Sequence, residues 1–337
     1  MVNQDQLRVG LIGCGYQGRL LAQATEKVSA LRVTACADPD KEAAAGVAAL
    51  SGIPNTYASA SELLRRSDVD TVLIATPHHV LHEIALEAIG AGKHVFAEKP
   101  IATNVRQAAR IEETVADRGI CFMAGYSLRF FAAHRQVHEL LAAGAIGQVQ
   151  AVTAGMGARP FSGWGADPAT GGGALLFLGS HIVDALLWLV NDEPVEVYAD
   201  VRRRSDTGAD ETSSFQIRFA GGTVAQLLVT QAAGQWFDFV NLYGGEGHIS
   251  LVSRQWLQCE ITVVSNVIPE YAQPATIKSL FTDHPLMMML VPELEEFAAA
   301  IQERRQPSVT ASHGRRVLRV LDAVVRSGQA GKPVSLP

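Results

Sequence analysis

The first third of the chain alternates short apolar runs with segments whose apolar residues recur at helical spacing. Residues 7–12, 31–37, 69–75, 94–97 and 120–124 read as buried strands, and residues 19–28, 41–50, 79–89 and 104–117 as helices between them. Gly90-Ala91-Gly92 marks a helix stop, and Thr103-Asn104, just after Pro100, a helix start. Strand–helix alternation with such short connections builds right-handed crossovers and hence a parallel sheet. Residues 1–125 are assigned to one α/β domain on this basis.

Beyond about residue 147 the period falls to two. Val195, Val197 and Ala199 point one way, as do Phe215, Ile217 and Phe219 before Gly221-Gly222, after which residues 224–229 make a return strand. Residues 149–156, 237–242, 248–252 and 260–267 read as further strands, with an apolar helix at 174–189 among them. Hairpin-linked strands with helices kept to one side predict an antiparallel α+β domain over residues 126–337. The closing helices, 286–302 and 313–328, are compatible with packing on either domain.

Of the 337 residues 48% are apolar and only 18% charged, enough material for a large core and too apolar for global disorder. A net charge of −6 argues against nucleic-acid or membrane-surface partners, which are bound through a Lys/Arg excess. The longest apolar stretch is broken by Gly179, Ser180, His181 and Asp184, so no membrane-spanning helix is expected. The N-terminus has no basic region followed by an apolar block, so no signal peptide is expected either. Cys14, Cys36, Cys121 and Cys259 are widely spaced without a CxxC, which reads as reduced cytoplasmic thiols rather than disulfides or a zinc site.

Gly13-Cys14-Gly15-Tyr16-Gln17-Gly18 is a GxGxxG turn between the first strand and the first helix, with Asp38 at the end of the second strand. Gly13 permits the tight turn, Gly15 lets backbone approach a pyrophosphate, and Gly18 allows close helix–strand packing. Asp38 either bonds an adenosine ribose and repels a 2′-phosphate, favouring NAD over NADP, or caps whatever follows Pro39. Glu98-Lys99-Pro100 ends a predicted parallel strand, the edge where such sheets place ligands. Lys99 reads either as a desolvated general acid or base, or as a surface lysine before a turn proline.

Taken together, GCGYQG, CADPD, ATPHHVLHEIALEAIGAGKHVFAEKP, GYSLRFFAAHRQVHELLAAGAIGQV and GGGALLFLGSHIVDALLWLV resemble the Gfo/Idh/MocA family of NAD(P)-dependent oxidoreductases along nearly the whole chain. The resemblance implies an N-terminal Rossmann domain, and a C-terminal domain whose open, mostly antiparallel sheet often serves oligomer contacts. It implies oxidation or reduction of a secondary alcohol or ketone on sugar- or polyol-like small molecules. Lys99 matches the lysine assigned to catalysis, and His181 the histidine of the GGG-containing segment. The expected cofactor contacts are Gly13, Gly15, Tyr16, Gln17, Gly18, Asp38, Thr76, Pro77, His79, Glu98 and Lys99. Two positions depart from the pattern. His78 stands where asparagine is common, and Phe177 where many family dehydrogenases carry an aspartate four residues before the histidine.

Phe177, His181, Asp184 and Trp188 fall on one helical stripe, compatible with a site or with a satisfied core His–Asp pair. Arg129, Arg159, Trp164 and Asp184 are the candidate substrate contacts; Arg129 is equally compatible with a structural ion pair, and the Trp164 loop with simple anchoring. The pairs His78/His82 and His134/His138 have chelating spacing but no third ligand, so surface helices and no metal are expected. The leading expectation is an NAD-dependent dehydrogenase, assembled as a homodimer or homotetramer. A nucleotide-sensing protein without turnover, and an enzyme using NAD transiently in eliminative glycoside cleavage, are the alternatives. A phenyl ring at position 177 would keep His181 neutral and favour a less hydroxylated substrate.

Overall fold

Six short strands rich in small and β-branched residues form a wholly parallel sheet near the start of the chain. They are β1 (Leu7–Ile12), β2 (Leu31–Ala37), β3 (Asn55–Tyr57), β4 (Thr71–Ile74), β5 (His94–Glu98) and β6 (Phe122–Gly125). The spatial order is β3-β2-β1-β4-β5-β6, the doubly wound arrangement with its switch point between β1 and β4. The connecting helices are α1 (Tyr16–Thr25), α2 (Lys41–Ser51), α3 (Ala60–Leu64), α4 (His78–Gly90) and α5 (Val105–Arg118). The computed structural model describes residues 6–66, 68–280 and 284–336. They divide into two units: one runs to Ser127 and takes in Leu286–Arg315, and the other holds Leu128–Pro285 and the chain from Arg316 onward.

Within the first unit the caps follow from side-chain chemistry. Asp40 accepts from the Glu42 and Ala43 amides at the start of α2, and Asn104 accepts from Gln107 at the start of α5. The pattern reading did not include β3 or α3. Both are short, and β3 is half exposed, so neither leaves a full period to read. A capping box is the available signal: Ser59 accepts from the Glu62 amide, and Glu62 accepts from the Ala58 amide.

The second unit is built on nine strands flanked by helices. In chain order they are α6 (Ala132–Ala142), β7 (Val149–Gly157), α7 (Ser180–Val190), β8 (Pro194–Arg203), β9 (Asp210–Phe219), β10 (Val224–Thr230), β11 (Phe237–Gly244), β12 (Gly247–Arg254), β13 (Gln258–Ser265) and β14 (Ala275–Leu280). Helices α8 (Pro285–Gln302) and α9 (Ala311–Ala330) and strand β15 (Val334–Ser335) complete the chain. The sheet order is β14-β13-β12-β11-β7-β10-β9-β8-β15, antiparallel at every step except β7–β10. Of the closing helices, α8 adds Phe297 to the first unit, where it meets Phe96 edge-on at 5.8 Å.

The apolar helix at 174–189 is not uniform. Its first turn, Leu175–Gly179, is a π-helix, and only then does α7 begin. The Leu175 amide donates to Asp210 Oδ2 on β9 at 2.6 Å, pinning the start of the helix to the sheet. By length and apolarity Pro168–Val190 resembles a membrane span, but 78% of its most apolar window is buried inside the protein.

The two histidine pairs lie on helices with exposed faces, but one member of each pair is turned inward while His82 and His138 are half-buried. His134 is fully buried and His78 nearly so, while His138 stacks on Trp188 at 4.2 Å. Spacing shows that two residues share a helix face; it does not show which element covers that face. Above His134 the sheet presents Asp238, also buried, with its Oδ2 3.9 Å from the imidazole Nε2. Burial pushes the Asp238 carboxyl up to about 7, against the pull of Ser253 and Trp256, and pushes His134 down to about 4.

A carboxyl raised from about 3.9 in the unfolded chain to about 7 favours the fold at low pH, and that contribution is lost as pH rises toward 7. His134 acts in the opposite sense, its contribution fading as pH falls toward 4. Asp238→Asn should therefore raise Tm relative to wild type at pH 8 by roughly 5 °C more than at pH 5. Thermal melts at the two pH values measure this; an equal difference at both would show that the carboxyl does not titrate in the fold.

Candidate active site

The turn from β1 to α1 admits no side chain at two of its glycines. Gly13 has φ +95°, and a Cβ there would stand 2.4 Å from the Ala75 carbonyl oxygen. A Cβ on Gly18 would stand 1.9 Å from the Gly13 carbonyl oxygen. Gly15 is different, because nothing lies within 4 Å of where its Cβ would point. Gly15 is also the N-cap of α1, which has neither a side-chain cap nor an acidic residue in its first turn. The free amides and positive dipole end of α1 therefore border open space, which fits the pyrophosphate of a dinucleotide. Tyr16 is 69% exposed beside it.

Asp38 follows β2 and accepts from the Cys14 amide at 2.7 Å and from the Asp40 amide at 2.8 Å. It therefore ties the end of β2 to the glycine turn, and the cap of α2 is Asp40 instead. A carboxylate has about four acceptor positions, so two bonds leave room for ribose hydroxyls. Thr76 and Pro77 lie between β4 and α4, with Pro77 at the N-cap and His79 exposed in the first turn. Thr76 Oγ1 is buried with no hydrogen-bond partner among the described residues, as suits a hydroxyl facing a ligand.

At the end of β5 the two sequence motifs meet. Gln17, in the first turn of α1, donates from Nε2 to Glu98 Oε1 at 2.6 Å, and the Lys99 amide donates to Glu98 Oε2 at 3.2 Å. Burial raises the Glu98 pKa, with Lys99 and Gln17 opposing. Burial lowers Lys99 to about 8, against the attraction of Glu98. An ammonium group so placed gives and takes protons near neutral pH. The Gln17–Glu98 bond spans 81 residues, and no local signal in the sequence announces it.

In the second unit, Arg129 and Asp184 are paired with each other. Arg129 Nε and an Nη donate to the two Asp184 oxygens at 2.8 and 2.7 Å in a bidentate pair, both side chains nearly inaccessible. The alternative reading of Arg129 as one half of a structural ion pair is what the geometry contains. His181, one turn before Asp184, is buried and meets the edge of Trp256 at 6.4 Å. Trp256 sits at the β12–β13 hairpin tip with φ +57°, an uncommon conformation for a bulky residue, and sequence reading did not single it out.

Phe177 lies in the π turn, and His181, Asp184 and Trp188 lie in α7. Phe177 lies 4.4 Å from Phe161 and 4.9 Å from Trp164, while Trp188 stacks on His138. Arg159 donates to the Gly234 carbonyl oxygen at 2.6 Å and is exposed. Among the described residues no three His, Cys, Asp or Glu side chains gather as metal ligands.

Comparison with known proteins matches residues 7–126 to an oxidoreductase family with an NAD-binding Rossmann fold, and residues 134–250 to a GFO/IDH/MocA C-terminal domain. A 1,5-anhydro-D-fructose reductase from Ensifer adhaerens is 29% identical over 98% of both chains. A trans-1,2-dihydrobenzene-1,2-diol dehydrogenase from Bos taurus is 31% identical over 69% of both. A levoglucosan dehydrogenase solved with NADH shares the fold, with TM-score 0.91 and 23% identity over 98% of this chain and 99% of that one. With both family domains matched in order, and the glycine turn and EKP segment joined in one structure, the chain belongs to the Gfo/Idh/MocA family of NAD-binding oxidoreductases.

Proposed function

We propose that the protein transfers a hydride between NAD and a secondary alcohol or ketone carbon of a cyclic sugar- or polyol-like substrate, with Lys99 moving the hydroxyl proton. The observation that carries this reading is the Glu98–Lys99 pair at the end of β5, where burial brings the lysine to about 8. The substrate class rests on relatives named for an anhydro sugar and a cyclic diol.

NAD, when bound, supplies the two-electron acceptor. The α1 amides and the open backbone at Gly15 would hold its phosphates in the turn that Gly13 and Gly18 make possible, with Tyr16, Gln17, Thr76, Pro77 and His79 alongside. Asp38 accepts from the ribose and disfavours a 2′-phosphate. In oxidation, neutral Lys99 Nζ takes the hydroxyl proton; in reduction, its ammonium form returns one. Glu98 keeps the lysine from losing its proton entirely at neutral pH. His181 contributes a hydrogen-bonding ring, and the Arg129–Asp184 pair braces α7 beneath it. Cytoplasmic location is part of the same proposal.

Lys99 must be neutral to accept a proton. The kcat/KM for oxidation should therefore rise through about pH 8 and then level, while that for reduction falls over the same range. Lys99→Met should lower turnover by about 10²–10⁴-fold and leave NADH affinity within about threefold. His181→Ala should cost less. Near-native turnover by Lys99→Met would falsify the assignment.

Fluorescence titration should find NADH bound more tightly than NADPH. Gly15→Ala should weaken NADH at least about tenfold with Tm unchanged, because its methyl enters open space the pyrophosphate needs. Gly18→Ala should instead lower Tm, since its methyl collides with the Gly13 carbonyl.

The same proposal includes self-assembly through the nine-stranded sheet. Tyr198, Leu228, Tyr243 and Val252 are exposed on β8, β10, β11 and β12, apolar side chains among polar ones on a face suited to a second copy. Sedimentation at micromolar concentration should show a homodimer or homotetramer of the 36.0 kDa chain; a monomer would refute this.

A further inference from the structure

Gln17 and Glu98 meet across a strand to which neither belongs. Gln17 is in the first turn of α1, directly after β1, and Glu98 is the last residue of β5; in the sheet β4 lies between those two strands. Neighbouring strands are about 4.8 Å apart, so the two side chains must together bridge roughly 10 Å. The glycine turn makes this reach possible. Gly13 lies against the Ala75 carbonyl just past the end of β4, and a Cβ on Gly18 would stand 3.9 Å from the small Ala75 side chain. From the other side β6 fixes the Glu98 backbone, since a Cβ on Gly125 would stand 3.2 Å from Glu98 Cα. Two long side chains then close the gap, with Gln17 Nε2 donating to Glu98 Oε1 at 2.6 Å. Burial raises the Glu98 pKa, and Lys99, the Gln17 side chain and the Lys99 backbone amide oppose that rise. Burial lowers Lys99 to about 8, against Glu98. Among the described residues the charged group acting on each is the other, and the flanking strand ends, Ala75-Thr76 and Gly125-Tyr126, add hydroxyls.

We infer that Gln17 is a positioning residue for Lys99, its side-chain amide holding the Glu98 carboxylate ionised where it meets the lysine. The inference rests on the dehydrogenase reading only for what Lys99 does with its proton. A buried carboxylate stays charged when donors satisfy its oxygens. Without the Gln17 amide, Oε1 loses its donor and Glu98 takes up a proton more readily. The neutral acid no longer attracts the Lys99 ammonium, which then gives up its proton at lower pH. The helix that borders the cofactor space thus also sets the proton affinity of the lysine, through one side chain of the right length.

The test reads Lys99 directly, by NMR of the intact protein labelled with 13C and 15N in its lysines. The chain has six lysines, and the Lys99 side-chain signal is the one missing from Lys99→Met. In wild type without cofactor it should titrate near pH 8. Gln17→Met keeps the length and drops the donor, and should lower that midpoint by roughly one pH unit. Gln17→Asn keeps the amide but is shorter by about 1.5 Å, and should lower it too. Glu98→Gln should act in the same direction, and adding Gln17→Met to it should produce no further shift, because Gln17 acts through the carboxylate. A midpoint unchanged in both Gln17 variants, or lowered equally by Gln17→Met with and without Glu98→Gln, overturns the inference. The midpoint of kcat/KM for NAD-dependent oxidation of trans-1,2-cyclohexanediol should move with the NMR midpoint. If the NMR midpoint moves and the kinetic one does not, the positioning of Lys99 by Gln17 is upheld and the proton-transfer role given to Lys99 in the dehydrogenase reading fails.

Discussion

The close approach of Gly18 to the Gly13 carbonyl is the constraint on which the first unit is organised. Only a hydrogen atom fits between them, so α1 leaves β1 at one angle and seats against the sheet. The same turn presses Gly13 onto the Ala75 carbonyl that follows β4, which closes the switch point from below. The end of α1 that would otherwise be capped by a side chain is left to Gly15, with open space in front of it. Helices α2, α3 and α5 bear side-chain caps, whereas α1 and α4, which follow β1 and β4 on either side of the switch point, have none. Packing and ligand binding thus come from one six-residue segment, through opposite requirements at Gly18 and Gly15.

That geometry also governs the lysine. Gln17 projects from the first turn of α1 and holds one oxygen of Glu98, while the other takes the Lys99 amide. A buried carboxyl satisfied on both oxygens stays in place beside the ammonium, and burial alone sets the direction of both shifts. Removing Glu98 would leave the lysine with desolvation unopposed; removing the burial would return it to an ordinary surface cation.

The second unit places its polar groups differently, inside an apolar helix–sheet layer. The Arg129–Asp184 pair makes two short charge-assisted bonds that fix α7 to the segment following Ser127. Breaking a buried pair by removing one partner commonly costs about 3–5 kcal/mol, which suits a brace for His181 better than a pair meant to open for substrate. Asp238 and His134 have no such bidentate pairing, and burial shifts them in opposite directions, each toward its uncharged form. Phe177, in the π turn before α7, packs with Phe161 and Trp164.

Periodicity alone determined the parallel sheet, the antiparallel strands of the second sheet and the order of the longer elements, because a period of two or 3.6 is a local property of the chain, while the parallel β7–β10 step was decided by the fold. The glycine turn and the EKP segment were legible for a similar reason: backbone sterics and strand ends leave marks within a few residues. The short elements β3, α3 and β14 did not show, because they lack the run of buried apolar residues that marks the equally short β1, β4, β5 and β6. Partnerships across 55 or 81 residues, Arg129 with Asp184 and Gln17 with Glu98, were decided only by the fold. The same holds for His134, which spacing put on a surface and the sheet covers with Asp238. A sequence records which side chains share a face; whether that face meets water, a charge or an aromatic ring is settled by segments brought in from elsewhere in the chain.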